Sequence, residues 1–371
     1  MTESTSGVDF LVHKTDWKQH RFVDSPVPEL AHGQALIRVD RFAFTANNIS
    51  YALAGDALGY WRFFPAEEGW GRLPTMGFGD VVRSTHPGVE EGTRCFGFYP
   101  MSRHLVIQPG AVSPTQIVDA ASHRHGLAPA YNQYTPVQND ALYHPEHEDV
   151  LMLLRGLFLT SFLADDFLAD QAHYGAEAVI VSSASSKTSI ALGYLASRAG
   201  RVRAVGLTSA RNLEFVRSLG CYDLVLPYEE VAALDAGRAA IFVDMAGSGE
   251  ILRAVHGHFG DALKYSCSIG ATHWQSDRGA GPLPGPKPEF FFAPTQLQKR
   301  VRDWGAAGLQ QRLGSAWSAF RAFTDGWLEV RRGYGREVVR QVYLETLAGS
   351  TRPERGHVLS LWDSPEAASG R

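Results

Sequence analysis

Residues 178–207 read AVIVSSASSKTSIALGYLASRAGRVRAVGL, and this stretch decides the fold. Two short apolar runs, 178–182 and 203–207, enclose a segment from Lys187 to Ala199 in which apolar residues recur with a helical period. A strand that returns to the same sheet through a helix runs parallel to the first strand. The stretch therefore predicts the centre of a parallel sheet that is covered by helices.

The alternation continues in both directions along the chain. Further short apolar runs predict buried strands at 224–226, 240–244 and 263–269. Amphipathic or apolar segments predict helices at 151–169, 210–219, around Glu229 and 250–259. Strands and helices in alternation are typical of a doubly wound Rossmann domain, to which we assign residues 151–294.

The residues before this domain have a different sequence pattern. Short strand-like runs such as 35–39, 80–84 and 104–107 are separated by turns that are rich in glycine and proline. This spacing predicts an antiparallel, barrel-like domain, to which we assign residues 1–150.

Two segments complete the outline. Residues 120–148 are polar, contain several histidines and are interpreted as a long loop or an insertion. Residues 295–371 are expected to return to the antiparallel domain, with a helix over 312–331 and a strand over 356–362. The chain is thus predicted to be an α/β protein of two domains, which suits its 371 residues.

The composition limits the class of partner. The formal net charge is -4 and no long apolar run is present, so neither nucleic acid nor a membrane is an expected partner. The three cysteines lie far apart and form no metal-binding pair, which favours a reducing compartment. Residues 1–9 are polar and lack the apolar core of a signal peptide. We expect a cytoplasmic protein that acts on a small molecule.

The turn after the first strand carries the candidate phosphate contacts. In a dinucleotide-binding fold, backbone N–H groups at this helix N-terminus hold the pyrophosphate. The G-x-G-x-x-G motif is absent, and serine and alanine are the next smallest residues that let a ligand approach. Lys187 opposes the helix dipole by about 0.3–1 kcal/mol, and a bound anion would reverse that effect. The candidates in this turn are Ser183, Ser185, Ser186, Lys187 and Thr188.

Two other interpretations of the turn stay open. It could be a serine-capped strand-to-helix turn that binds no ligand. It also resembles the end of a P-loop at Ser186-Lys187-Thr188, although the glycines that make such a loop possible are missing.

The end of the second strand indicates which cofactor binds. An Asp or Glu at this point would hold the ribose 2′-hydroxyl of NAD. The chain instead has Thr208, Ser209 and Arg211, with no acid among residues 206–211. Arginine pairs two of its N–H groups with a phosphate, so the pattern favours NADP(H) over NAD(H). Alternatively, Arg211 is only a solvated residue in the first turn of the next helix.

Several stretches resemble the medium-chain dehydrogenase/reductase superfamily, specifically its zinc-free quinone oxidoreductase and enoyl reductase branch. These stretches are 33–56, 74–98, 154–163 and 208–225. The resemblance covers nearly the whole chain. It implies a GroES-like antiparallel β-barrel catalytic domain, a Rossmann domain and assembly into a homodimer.

The resemblance implies further cofactor contacts. Thr160 lies in the helix that approaches the cofactor in this superfamily, and Gly270 ends the fifth Rossmann strand. Phe291 and Phe292 belong to the segment EFFFAP, which resembles the part of the chain that closes over the nicotinamide.

The resemblance also bears on zinc. Its zinc-dependent members carry Cys and Gly-His-Glu where this chain has TANN at 45–48 and GFGD at 77–80, so a catalytic zinc is not expected. A site without zinc suits a C=C bond conjugated to a carbonyl, as in a quinone, an enone or an enoyl thioester, better than a simple alcohol. The nicotinamide would supply the hydride, and the protein would supply hydrogen-bond donors for the developing enolate.

Those donors are expected on the substrate-side turn. The candidates are Asn47, Asn48, Tyr51 and Tyr60, although the two asparagines could be turn formers and the two tyrosines core aromatics. The leading hypothesis is an NADPH-dependent reductase of activated double bonds. The alternatives are an NADP-dependent ketone or aldehyde reductase, a non-catalytic NADP-binding protein, and a fold that binds no nucleotide.

Overall fold

The chain forms two compact units. The computed structural model describes residues 6–269 and 282–369. The first unit comprises Met1–Leu153 together with Glu329–Arg371, and the second comprises Leu154–Leu328. One unit is therefore built from two separate parts of the chain.

The described residues contain both strands and helices. The strands are β1 (Ser6–His13), β2 (His20–Pro26), β3 (Ala35–Phe44), β4 (Trp70–Gly71), β5 (Pro74–Ser84), β6 (Arg94–Pro100), β7 (His104–Ile107), β8 (Pro109–Ser113), β9 (Gln116–Asp119), β10 (Gln133–Pro136), β11 (Ala178–Val181), β12 (Arg203–Thr208), β13 (Leu224–Pro227), β14 (Ala240–Asp244), β15 (Leu263–Ser268), β16 (Glu289–Phe290), β17 (Glu329–Tyr334) and β18 (Arg355–Ser360). The α-helices are α1 (Ala46–Leu53), α2 (Glu148–Asp170), α3 (Lys187–Ala199), α4 (Leu213–Ser218), α5 (Gly249–Phe259), α6 (Ala293–Thr324), α7 (Gly335–Leu347) and α8 (Pro365–Ser369). Across 6–269 and 282–369, no helix has the length and apolar character that crossing a membrane requires.

The first unit is dominated by one nine-stranded sheet. Its order is β17-β18-β3-β5-β6-β10-β9-β8, and β7 pairs with β3. Neighbouring strands are antiparallel except for β17 and β18, which run parallel. A second, three-stranded sheet has the order β2-β1-β4. The two sheets share a hydrophobic core that includes Phe10, Phe42 and Tyr99, so the predicted antiparallel architecture of this unit is confirmed.

Residues 120–148 are more ordered than the sequence indicates. They contain β10, which pairs with both β6 and β9, and several 3-10 turns. Each of these elements is short and polar, so local periodicity does not reveal it. Their order comes from pairing with distant strands and not from local periodicity.

An ion-pair network holds the start of α2 against the sheet of the first unit. The guanidinium of Arg94 contacts Glu148 at 2.7 Å, Asp40 at 2.6 Å and Asp80 at 3.0 Å. Arg41 contacts Glu148 at 2.7 Å. Burial alone would raise the pKa of Glu148, but its hydrogen bonds and the charge of Arg94 hold that pKa below its usual value.

The second unit is a doubly wound parallel sheet. Its strand order is β13-β12-β11-β14-β15-β16, and every neighbouring pair is parallel. The chain leaves the central strand β11 toward one side and returns to build the other. Ligands of such sheets bind at the carboxyl ends of the strands beside this reversal point. The predicted Rossmann domain is confirmed.

The C-terminal helix predicted over 312–331 is placed wrongly. Helix α6 runs over Ala293–Thr324 with a kink at Gly305, whose φ is 69°, and the chain is already in strand β17 at Glu329. Within the second unit, the α6 side chain Phe320 stacks on Phe158 at 4.9 Å between ring centroids. Helix α6 thus packs within the second unit, and the first unit resumes at Glu329.

A left-handed turn precedes the first parallel strand. Residues Ala172, His173 and Tyr174 have φ values of 47°, 51° and 51°, and Gly175 follows at 71°. Left-handed backbone costs about 1–2 kcal/mol for each residue with a side chain. The turn presents Tyr174 to Tyr265, and the two rings stack at 4.3 Å with an angle of 9° between their planes.

Candidate functional site

Serine hydroxyls hold the turn between β11 and α3 in shape. Ser186 caps α3, since its Oγ accepts a hydrogen bond from the backbone N–H of Ser189 at 3.2 Å. The Oγ of Ser186 donates to the Oγ of Ser189 at 2.8 Å, and Ser189 in turn donates to the carbonyl of Ser182 at 3.0 Å. Helix α3 therefore begins at Lys187, as predicted. No acidic residue lies in its first turn, so the positive end of the helix dipole is available to an anion.

Ser183 adopts the backbone conformation that a glycine would normally supply. Its φ is 51°, in the left-handed region, and its N–H donates to the hydroxyl of Tyr228 at 3.0 Å. A glycine-rich loop reaches this conformation without steric strain. In this protein, the hydrogen bond to Tyr228 and the hydrogen bonds of the adjoining residues hold a serine in this conformation.

Close packing under the turn depends on a glycine from the neighbouring strand. Ala184 is fully buried, and its N–H donates to the carbonyl of Leu207 at 2.9 Å. A Cβ added to Gly206 would lie 2.9 Å from the Cβ of Ala184 and 3.1 Å from the ring of Tyr222. Dinucleotide-binding turns obtain space for close packing from their own glycines. In this protein, part of that space comes from Gly206 on β12.

Two buried polar atoms at the carboxyl edge of the sheet have no hydrogen-bond partner among the described residues. They are Oγ1 of Thr208, at the end of β12, and Oδ2 of Asp244, at the end of β14. The other carboxylate oxygen of Asp244 accepts from Ser182 Oγ at 2.9 Å and from the N–H of Gly247 at 3.1 Å. An unmatched buried polar atom costs about 1–3 kcal/mol, so these atoms favour a polar ligand at this edge. The donors and acceptors fit a dinucleotide.

The residues predicted to contact the 2′-phosphate lie at the carboxyl end of β12 and just after it. Arg211 is exposed and Ser209 is half-buried, in and just before the 3-10 turn Ala210–Asn212. The amide of Asn212 donates to the hydroxyl of Ser185 at 2.9 Å and so orients it. Sequence reasoning missed Asn212, although its place one residue after Arg211 was a usable signal. These side chains provide polar contacts of the kind a phosphate requires.

Thr160, which the resemblance places near the cofactor, and its neighbour Ser161 make different hydrogen bonds in α2. Thr160 donates its hydroxyl to the carbonyl of Gly156 at 3.0 Å, a bond within its own helix. Ser161 is the residue that links α2 to α3, because its hydroxyl donates to the carbonyl of Thr188 at 2.8 Å. One helical position turns a side chain by about 100°, so the sequence alone does not separate the two.

The phenylalanines of the EFFFAP segment differ in their surroundings. Phe291 is buried and packs on Phe167 at 5.6 Å between ring centroids. Phe292 is 48% exposed and stacks on Phe290. Gly270 lies outside the described residues.

In the first unit, both amide atoms of Asn48, a predicted donor to substrate, have hydrogen-bond partners within the protein. It is buried, and its Oδ1 accepts a hydrogen bond from the N–H of Thr45 at 2.8 Å. Its Nδ2 donates to the carbonyl of Pro74 at 2.9 Å. Asn48 therefore caps α1 and ties this helix to β5, which leaves Asn47 as the half-buried amide of the pair.

The structure brings the two predicted tyrosines together. The rings of Tyr51 and Tyr60 lie 4.6 Å apart, and Tyr51 also hydrogen-bonds Asn47. Burial raises the pKa of both phenols above the usual value, so both remain protonated donors at neutral pH. A third phenol, Tyr131, comes from the segment predicted as a loop, and its hydroxyl is 3.3 Å from that of Tyr60.

Potential metal ligands do not cluster in the part of the chain that the structure describes. Over residues 6–269 and 282–369, no three His, Cys, Asp or Glu side chains are grouped so that they could hold a metal ion. Cys95, Cys221 and Cys267 are buried and unpaired.

Solved structures with a similar fold are oxidoreductases in several cases. CurA from Vibrio vulnificus is 13% identical at a TM-score of 0.62, over 97% of this chain and 99% of that chain. The same protein in complex with NADPH gives 13% and 0.61, over 96% and 100%. A quinone oxidoreductase from Coxiella burnetii gives 14% and 0.54, over 96% and 99%. At these identities the likeness concerns the fold, and it confirms the fold that the sequence resemblance implied.

Sequence comparisons give a narrower result. A search of curated protein sequences found no significant match. A family model described as "Protein of unknown function (DUF2855)" matches residues 42–352, which is most of the chain and includes parts of both units. This protein therefore belongs to the DUF2855 family.

Proposed function

We propose that the protein is an NADPH-dependent oxidoreductase that reduces a double bond conjugated to a carbonyl group, without zinc. The observation that carries the proposal is the pair of buried, unmatched oxygens on Thr208 and Asp244 beside the serine turn. They lie where a parallel sheet of this order binds its ligand. The solved structure of CurA with NADPH has the same fold and supports the choice of cofactor.

The residues of the turn would divide the binding of the dinucleotide. Backbone N–H groups at the start of α3 would face the pyrophosphate, together with Ser185, Ser186, Lys187 and Thr188. Ser183 is held in its left-handed conformation by Tyr228 and would keep the chain close to the phosphates. When bound, NADPH would supply the hydride.

The adenosine side would distinguish the two cofactors. Ser209, Arg211 and Asn212 would contact the 2′-phosphate, and Asn212 orients the hydroxyl of Ser185. A charged hydrogen bond to phosphate contributes about 1.5–3 kcal/mol. Removal of the arginine should therefore weaken NADPH binding and leave NADH binding unchanged.

The deciding experiment is calorimetric titration with NADPH and with NADH. Arg211→Ala should weaken NADPH binding at least tenfold, which corresponds to about 1.4 kcal/mol. Arg203→Ala is the matched control, because Arg203 is an exposed arginine at the opposite end of the same strand, β12. Failure of the wild-type protein to bind either nucleotide would exclude the proposed function. A panel of acceptors then separates saturated products, which the proposal expects, from alcohols, which indicate a ketone or aldehyde reductase.

The edge of the parallel sheet suggests how the protein assembles. Strand β16 is the last strand of that sheet in the described part of the chain. Phe290 lies in this strand and Phe292 lies two residues further on, and both rings are exposed. An exposed apolar edge strand favours pairing with a second chain. We therefore expect a homodimer through this edge, and Phe292→Lys should shift sedimentation toward the monomer. The buried, unpaired cysteines suit the cytoplasm.

A further inference from the structure

Five aromatic rings of the first unit form one cluster, which we call the phenol cluster: Tyr51, Tyr60, Phe63, Phe98 and Tyr131. Tyr60 lies 5.4 Å from Phe63 and 5.8 Å from Tyr131, measured between ring centroids. Tyr131 lies 5.0 Å from Phe63 and 5.4 Å from Phe98. Phe63 and Phe98 are buried, while Tyr51 and Tyr131 are half-buried and form the outer side of the cluster.

The hydroxyl groups of Tyr60 and Tyr131 leave one hydrogen without an acceptor. The two oxygens are 3.3 Å apart, and either can be the donor. Each phenol has one hydrogen to donate, so a pair has two, and only one is used between them. Among residues 6–269 and 282–369, neither hydroxyl has a second hydrogen-bond partner. The remaining hydrogen can therefore be donated to an oxygen atom of a ligand.

A buried arginine anchors the backbone of Tyr131. The Nη1 of Arg124 donates to the backbone carbonyl of Tyr131 at 3.1 Å. Arg124 is almost completely buried and forms an ion pair with Asp119 at 2.7 Å. Its Nη2 donates to the hydroxyl of Tyr134 at 3.2 Å. The arginine thus anchors the backbone of Tyr131, and the contacts with Tyr60, Phe63 and Phe98 hold its ring in the cluster.

We propose that Tyr60 and Tyr131 together bind the carbonyl oxygen of a flat, aromatic, conjugated acceptor, and that Tyr131 determines the preference for such acceptors. The rings of Phe63 and Phe98 pack beneath the hydroxyl pair, and the half-buried rings of Tyr51 and Tyr131 are the ones that an aromatic ligand would meet. The assignment of this ligand as the substrate rests on the proposed function. The site itself consists only of residues from the first unit.

The test uses chalcone, a redox-inert aromatic enone in the absence of cofactor, as the probe. Calorimetry gives its Kd, and infrared spectroscopy gives the stretching frequency of its carbonyl group, which falls when the oxygen accepts a hydrogen bond. Tyr131→Phe and Tyr60→Phe keep the rings and remove one hydroxyl each. Each should weaken binding about 5- to 10-fold and return the carbonyl frequency toward its value in an aprotic solvent.

Tyr143→Phe is the matched control. Its hydroxyl donates to Glu148 at 2.9 Å, away from the phenol cluster, so its loss should change neither readout. Unchanged affinity and carbonyl frequency in Tyr131→Phe would overturn the proposal, as would absence of chalcone binding to the wild-type protein. Titration with NADPH separates the two claims. NADPH binding without chalcone binding leaves the cofactor assignment standing and removes the phenol site, and the reverse result removes the reductase function alone.

Discussion

Gly206→Ala would place a methyl group on β12 directly beneath the serine turn. The new Cβ would lie 2.9 Å from the Cβ of Ala184 and 3.1 Å from the ring of Tyr222. Carbon atoms in favourable contact stand about 3.5–4.0 Å apart, so the turn would have to move by roughly 0.6–1 Å. Overpacking of this kind costs about 1–3 kcal/mol, of which alanine recovers about 0.5–1 kcal/mol because it loses less backbone entropy than glycine. From the middle of the two ranges we expect a net loss of about 1 kcal/mol, and at most about 2.5 kcal/mol.

Urea unfolding followed by circular dichroism measures this loss. Gly257→Ala is the control, because Gly257 lies in α5 and a Cβ there would meet no atom within 4 Å. The same substitution in that open helical position should stabilise the protein by about 0.5–1 kcal/mol. Adding Ala184→Gly to Gly206→Ala removes the opposing methyl and should restore at least about 0.5 kcal/mol. Wild-type stability in Gly206→Ala, or no recovery in the double variant, would refute the packing argument.

Three further predictions concern other local features. Ser183→Gly removes the strain of a left-handed serine and should raise the free energy of unfolding by about 0.5–1 kcal/mol in urea; an unchanged midpoint would count against strain at this position. Burial and the nearby negative charge of Asp166 raise the pKa of Asp165 to about 6 from 3.8, so its contribution to stability is lost as pH rises through this window. Asp165→Asn should therefore be about 2 kcal/mol more stable at pH 7, and a difference that persists below pH 4 would contradict this origin. Arg94→Met removes the guanidinium that contacts three carboxylates, leaves Arg41 beside Asp40 and Glu148, and should cost about 3 kcal/mol. Arg238→Met, at an exposed ion pair, should cost less than about 0.5 kcal/mol, and similar losses in the two variants would refute the network.

The parallel sheet could be predicted from the sequence because its signals are local. Helix α3 matches the predicted bounds because Ser186 caps its start and Gly200 ends it in the left-handed conformation, with a φ of 61°. The short strands of this sheet are continuous apolar runs, which buried parallel strands require. The fold class therefore followed from periodicity together with two end signals.

The site was harder to predict because its contacts join distant parts of the chain. The room beneath Ala184 comes from Gly206, and the hydroxyl beside Tyr60 comes from Tyr131, which no local pattern connects. Prediction is also limited within a single helix, because adjacent residues can have different roles. Asn48 ties α1 to β5, and Ser161 links α2 to α3. Periodicity identifies the face of a helix, whereas individual hydrogen bonds depend on what the fold places opposite that face.

The left-handed turn Ala172–Gly175 has a consequence for the order in which the second unit folds. The isolated segment has no tendency to adopt this turn, because each residue with a side chain opposes it by about 1–2 kcal/mol. The ring that stabilises Tyr174 is that of Tyr265 on β15. Along the chain, β15 is the fifth of the six strands of the parallel sheet. The turn should therefore form after β15 has joined the sheet. Substitutions at Tyr174 should then accelerate unfolding and leave the folding rate almost unchanged.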